Sequence, residues 1–145
     1  MKIYLAGPMT GYPQFNFPLF DKVTDQLRVD GWEVVSPAEE DRKRGLEKEV
    51  TDSVDGDASK LSKSWGEILA YDVKLIADTG IEGIIFLPGW QKSKGARLEA
   101  FVGLSLKGFK FYEYKQDGDL YQTRPIHPLR VMMQIYSYVN ASLSQ

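Results

Sequence analysis

The stretch Ser93-Lys94-Gly95-Ala96-Arg97-Leu98-Glu99-Ala100 concentrates the residue types with the most chemistry in this chain. It follows an apolar strand candidate, Gly83-Ile84-Ile85-Phe86-Leu87, and a short turn, Pro88-Gly89-Trp90-Gln91. Ser93 reads as a helix N-cap, and Leu98, Val102 and Leu106 recur beyond it at helical spacing. A strand therefore feeds a turn and then a helix whose first turn carries Ser, Lys, Gly and Arg. Unpaired backbone N–H groups and the helix dipole both favour an anion there. Glu99 lies about one turn beyond Gly95 and Ala96 and can share their face. A carboxylate near an anion site, at the carboxyl end of a buried strand, is a candidate nucleophile or base.

A second carboxylate, Asp72, sits inside a helical stripe formed by Trp65, Ile68, Leu69, Val73 and Ile76. A helical Asp is ordinarily solvated. Its apolar neighbours Leu69, Val73 and Leu75 make partial burial the alternative. Two carboxylates meeting in a buried site would acquire different pKa values, the arrangement that separates acid from base. The loop Gly7-Pro8-Met9-Thr10-Gly11-Tyr12 is neither a dinucleotide fingerprint nor a P-loop. Its glycines let backbone approach a small ligand, and a plain strand-to-helix turn accounts for it equally well. Ser93, Lys94 and Arg97 read either as a cap with a solvated face or as an anion site. Cations in a first helical turn oppose the dipole, which favours the anion site.

The elements that must position these groups alternate. Residues 2–6 read as a buried strand, and a helix follows from Asn16 or Phe17 to about Val29. Trp32-Glu33-Val34-Val35 is a second strand. Residues 37–62 are charged and then polar, which predicts a short helix followed by a mobile loop. Helices over 64–78 and 93–107 flank the strand at 83–87, and Phe109 to Tyr114 form a fourth strand. A short helix over 128–139 docks on the body or on a partner subunit. The alternation predicts one α/β domain over residues 1–145, with a parallel sheet covered on both faces. It has a loop insert at about 40–62 and a C-terminal extension at about 115–145. Ligands in such folds bind at the carboxyl ends of the strands. That places the 7–13 loop, the 36–40 segment and the 88–97 turn together.

Composition narrows the chemistry further. A net charge of −2 gives no general attraction to nucleic acid or anionic lipid. The absence of Cys excludes thiolate nucleophiles and Cys-ligated metals, and with a single His, His127, a His-based metal site is not expected. No metal and no cofactor is expected. No apolar run spans a membrane, and the N-terminus does not read as a signal peptide. A cytoplasmic protein is the expectation. His127, between Ile126 and Pro128, reads as structural. Trp32, Trp65 and the aromatic strand 109–114 read as core or subunit interface.

Ile3-Tyr4-Leu5-Ala6-Gly7-Pro8-Met9, Asp72 and Gly95-Ala96-Arg97-Leu98-Glu99 together resemble the nucleoside 2-deoxyribosyltransferase superfamily. That superfamily includes the 2'-deoxynucleoside 5'-phosphate N-hydrolases, and the likeness is to a branch common in phages and bacteria. It covers roughly residues 2–112. The resemblance implies a flavodoxin-like three-layer α/β sandwich with a mostly parallel, about five-stranded sheet, in homodimers or larger homo-oligomers. It implies that Glu99 attacks C1' of the sugar, that Asp72 orients or protonates groups there, and that a glycosyl-enzyme ester is then resolved. Gly7, Pro8, Met9, Thr10 and Tyr12 would line the base and sugar pocket, and Ser93, Gly95 and Arg97 would hold a 5'-phosphate. The loop Pro8-Met9-Thr10-Gly11 departs from the more basic or Gly-rich loop of many such hydrolases. The insert and the tail beyond Glu113 have no counterpart in that pattern. The expected activity is cleavage of the N-glycosidic bond of a nucleoside 5'-monophosphate. A base-exchanging deoxyribosyltransferase and a non-catalytic nucleotide-binding module are the alternatives.

Overall fold

A computed structural model describes residues 1–144. Strand β1, Lys2–Ala6, is buried on both faces: Ile3 and Leu5 enter one apolar core, Tyr4 and Ala6 the other. A strand whose side chains alternate between two cores must lie inside a sheet covered on both sides. The remaining strands are β2 (Glu33–Val35), β3 (Gly83–Phe86), β4 (Lys110–Asp117) and β5 (Leu120–Pro125). Their order is β2-β1-β3-β4-β5; every neighbouring pair is parallel except β4–β5. This is the flavodoxin-like order, with strand direction reversed only at the last edge.

Helix α1, Phe17–Val29, covers the first core with Phe17, Phe20, Val23 and Leu27. Full burial of Phe20 or Leu27 stabilises the fold by about 1.5–3 kcal/mol each. Helices α4 (Trp65–Asp78), α5 (Lys94–Leu104) and α6 (Pro128–Leu143) cover the other core through Ile76, Ala96, Ala100 and Val131. The start of α4 is set by a capping box between Ser64 and Glu67. The start of α6 is set by His127, whose Nδ1 accepts from the Leu129 N–H, so this histidine is a cap.

Three features differ from the reading of the sequence. The 37–62 segment is not a short helix and a free loop. It forms α2 (Pro37–Lys43), α3 (Glu47–Thr51) and a 3-10 turn at Ala58–Lys60, with Leu46 and Val50 buried in the first core. Its charge run hid those two anchors. The tail makes a hairpin, since β4 runs on to Asp117 and turns at Gly118-Asp119 into β5. On α5 the stripe through Leu98 is not the inner face: Leu98 is exposed, whereas Ala96, Glu99, Ala100 and Gly103 are buried. Small residues there let the helix lie close to the sheet, which periodicity of large apolar residues cannot reveal.

The insert is fastened to the loop after β1. Gly11 N–H donates to the Gly56 carbonyl at 2.9 Å, and Gln14 N–H to the Ser53 carbonyl at 2.8 Å. Gln14, Phe15 and Asn16 all have positive φ, between 50° and 62°, and this left-handed turn carries Phe15 into the core. Gly56 has φ +64°, and a Cβ there would lie 2.2 Å from the Tyr12 carbonyl oxygen. Gly56→Ala is therefore expected to cost about 1–3 kcal/mol. It should also speed hydrogen exchange across residues 44–62 while leaving the β1 and β3 amides protected. Unchanged exchange in the insert would show that this contact does not hold it.

Candidate active site

The carboxyl ends of β1 and β3 open into a cavity of about 530 Å³. Its floor is Gly7 and Pro8, and a Cβ on Gly7 would lie 2.8 Å from Leu87 Cβ, so the backbone there runs against the strand beside it. Phe15, Phe17, Leu46, Val50 and Leu61 form an apolar wall contributed by the turn before α1, by α1 and by the insert. Trp65, Ile68, Leu69 and Asp72 of α4 form the opposite side. The first turn of α5 closes the ring with Lys92, Ser93, Lys94, Gly95, Ala96 and Glu99.

The turn leading to α5 is held by Trp90, which is 2% exposed and stacks on Phe86 with ring centroids 4.1 Å apart. Ser93 caps the helix, its Oγ accepting from Ala96 N–H at 3.2 Å. Arg97 N–H bonds the Ser93 carbonyl at 3.0 Å. Of the four amides that a helix start leaves without intrahelical partners, those of Lys94 and Gly95 remain to meet a ligand.

Glu99 is 6% exposed, and its Oε1 accepts the Tyr4 hydroxyl at 2.9 Å. Tyr4 is fully buried and stands on the inner strand β1, so the donor is fixed by the sheet itself. Asp72, 5% exposed, reaches the same cavity from α4, and its Oδ1 has no hydrogen-bond partner. Burial pushes both carboxyls above their ordinary pKa values. The charges of Glu99 and Asp41 raise Asp72 further against the pull of Arg44 and the Tyr4 hydroxyl, and the Tyr4 hydroxyl also pulls Glu99 back down. Asp72 is raised further than Glu99, so a proton shared by the pair favours Asp72. Burial above all, with the carboxyl groups around it, raises the Tyr4 phenol well above its usual value, so it stays a donor.

The structure gathers Gly7, Pro8, Met9, Thr10, Tyr12, Asp72, Ser93, Gly95 and Glu99 around one cavity. It does not bring Arg97 there. The Arg97 guanidinium donates to the Gln91 carbonyl at 2.6 Å and lies 5.2 Å from the Tyr138 ring centroid on α6. Leu98, Glu99 and Arg97 point in different directions around a helix, and only Glu99 faces the sheet. The cations at the cavity are Lys92 and Lys94 instead. Trp65, expected in the core or an interface, is 45% exposed at the cavity.

Two further groups had no signal in the sequence. Tyr4 looks like any apolar position of a buried strand. Asp41 lies inside the charge run and is 5% exposed on the cavity wall, its carboxyl pushed up to about 6 by burial against the opposing pull of Arg44. Among the described residues no cluster of His, Asp and Glu is arranged to hold a metal ion. None of the described helices is long and apolar enough to cross a membrane.

A family model described as a domain of unknown function, DUF4406, matches residues 1–108. The chain belongs to this family. The matched region contains every residue that lines the cavity and stops before β4, so the DUF4406 unit carries the whole site. No curated protein and no solved structure matches the chain.

A carboxyl whose pKa rises on folding favours the folded state at low pH, and this advantage is lost as pH rises through the raised value. Asp72 is such a group. Asp72→Asn should therefore stabilise the protein by about 1 kcal/mol at pH 8, with the gain shrinking towards pH 4. Thermal melts of both proteins across that range measure it. A gain independent of pH would mean that Asp72 is ionised in the folded protein.

Proposed function

We propose that this protein cleaves the N-glycosidic bond of a nucleoside 5'-monophosphate, with Glu99 as nucleophile. The observation that carries the reading is the buried Glu99 carboxylate, held by Tyr4, beside Asp72 in a cavity of about 530 Å³. That space suits a ligand of nucleotide size. The resemblance to the nucleoside 2-deoxyribosyltransferase superfamily agrees with it.

The chemistry follows from the two protonation states. Glu99 attacks C1' of the sugar, and the C1'–N bond breaks with its electron pair leaving on the base. Asp72, which holds the proton, delivers it to the departing nitrogen. The result is a glycosyl ester on Glu99. Asp72, now a carboxylate, takes a proton from water as its oxygen attacks C1'. The ester bond breaks, Glu99 is released, and the sugar phosphate keeps its configuration. The Tyr4 hydroxyl shares the charge that returns to Glu99 when the ester opens.

The phosphate binds at the Lys94 and Gly95 amides, the Ser93 hydroxyl and the Lys92 and Lys94 ammonium groups. This assignment replaces Arg97, which is occupied by Gln91 and Tyr138. The apolar wall of Phe15, Phe17 and Leu61, with Trp65 across the cavity from it, takes the flat face of a base.

Homo-oligomerisation is part of the same proposal. Leu129, Met132, Met133, Tyr136 and Val139 are exposed along one side of α6, and no charged residue occurs from Val131 to the C-terminus. A two-fold contact sets each side chain near its own copy, so an uncharged face incurs no like-charge repulsion there.

Purified protein incubated with each ribo- and deoxyribonucleoside 5'-monophosphate should release free base, followed by liquid chromatography. Glu99→Ala should abolish release, a loss of about 1,000-fold or more. The rate should fall below the Glu99 pKa and above that of Asp72. Tyr4→Phe removes the bond that lowers the Glu99 pKa, so its acidic limb should move to higher pH. Base exchange only when a free base is supplied would make the enzyme a transferase. Binding without release under all these conditions would leave a nucleotide-binding module and overturn the enzyme reading.

A further inference from the structure

The cavity holds a third carboxylate that the proposed reaction leaves unused. Asp41 stands in the last turn of α2 and lines the cavity while 5% exposed. Its Oδ1 is buried and accepts no hydrogen bond. The neighbouring Arg44 Nη1 is 3.7 Å away, too far for one, and is itself without a partner. Arg44 is held in place by the Tyr71 ring, 4.1 Å from its guanidinium carbon, and Tyr71 in turn donates to Glu40 at 3.0 Å. The carboxylate is thus fixed from behind and unsatisfied. A buried acceptor without a donor is costly in an empty protein and becomes favourable when a ligand supplies the donor.

Its position says where on a ligand that donor lies. Asp41 lines the cavity together with Asp72 and Glu99, and α2 packs against β1, whose Tyr4 holds Glu99, so Asp41 belongs to the same end of the cavity as the reacting groups. With C1' at Glu99, the part of a nucleotide at that end is the sugar ring, and its hydrogen-bond donors are hydroxyls.

We propose that Asp41 is a specificity-determining residue that accepts a hydrogen bond from a ring hydroxyl of the sugar, so that the site selects a hydroxylated furanose. This inference rests on the nucleotide reading of the cavity. A site built around a buried acceptor rejects an analogue lacking the donor far more strongly than an apolar pocket rejects a change of size.

Calorimetric binding in the Glu99→Gln background, where turnover is blocked, tests it with three series of 5'-monophosphates: ribo, 2'-deoxyribo and 2',3'-dideoxyribo. Binding to at least one hydroxylated series should exceed binding to the dideoxy series by about 10-fold or more. Adding Asp41→Ala should bring that ratio to about one, and Asp41→Asn, which keeps a weaker acceptor, should leave an intermediate ratio. Circular dichroism melts establish that each variant is folded; if Asp41→Ala is not, the Asn variant alone decides by whether the ratio falls. Equal binding of all three series to the Glu99→Gln protein would overturn the inference and leave the nucleotide reading standing. So would a ratio that Asp41 substitutions do not change. A change in preference among bases rather than sugars would show that Asp41 reads the base, and the inference fails. No binding of any nucleotide would remove the inference together with the reading beneath it.

Discussion

Two carboxyl groups, Glu99 and Asp72, are taken out of water beside one another, and the layout of the domain is what makes that tolerable. An ionised pair at such a site would repel in a medium that screens poorly. A proton shared by the pair eases the conflict, and burial together with the neighbouring carboxylates shifts Asp72 further upward than Glu99, which the Tyr4 hydroxyl holds. Each of the three groups comes from a different element, β1, α4 and α5. The site therefore exists only while the sheet and both helices hold their mutual positions. That demand is met by close packing on the second core, where Ala96, Ala100 and Gly103 bring α5 down onto Phe86 and Phe111.

The first core serves a different purpose. Leu46, Val50 and Phe15 are at once core residues and cavity wall. The insert and the loop after β1 are fastened by backbone bonds, Gly11 to Gly56 and Gln14 to Ser53, rather than by side chains alone. Backbone bonds fix the wall without using the side chains that a ligand would meet. The exposed ion pairs of the insert, such as Lys60 with Asp55, add little to this, because water screens them.

The α/β alternation was legible because strands and helices on this scaffold carry different periodicities, and β1, α1, β3 and β4 stand near where the pattern puts them. Glu99 and Asp72 were legible for a second reason: each is a charged residue at a position where the pattern calls for burial. Asp41 obeys the same rule, yet the charged residues around it masked it. Tyr4 gave no signal, since a tyrosine in a buried strand is ordinary until its hydroxyl has a partner. Arg97 misled because a helix start says which residues are near an anion in sequence, while side-chain direction decides which can reach it. Adjacent positions on a helix point about 100° apart.

Arg97 also explains why the chain beyond the DUF4406 match bears on the cavity. Its guanidinium bridges the Gln91 carbonyl and the Tyr138 ring, and Gln91 reaches Gln134 at 3.4 Å. Both partners lie on α6, outside residues 1–108. The turn they brace is the one that Trp90 anchors from below and that ends in Ser93. Three backbone bonds, from Trp90, Lys92 and Ser93 N–H to the Leu87, Gly89 and Trp90 carbonyls, close the turn on itself, and the two amides beyond it are useful to an anion only if they are aimed in advance. A cation spent on a carbonyl and an aromatic face, instead of on the ligand, supplies that rigidity. The tail thus bears on the site through the turn, and in the proposed reading Arg97 would serve an anion by bracing the turn before the Lys94 and Gly95 amides rather than by its charge.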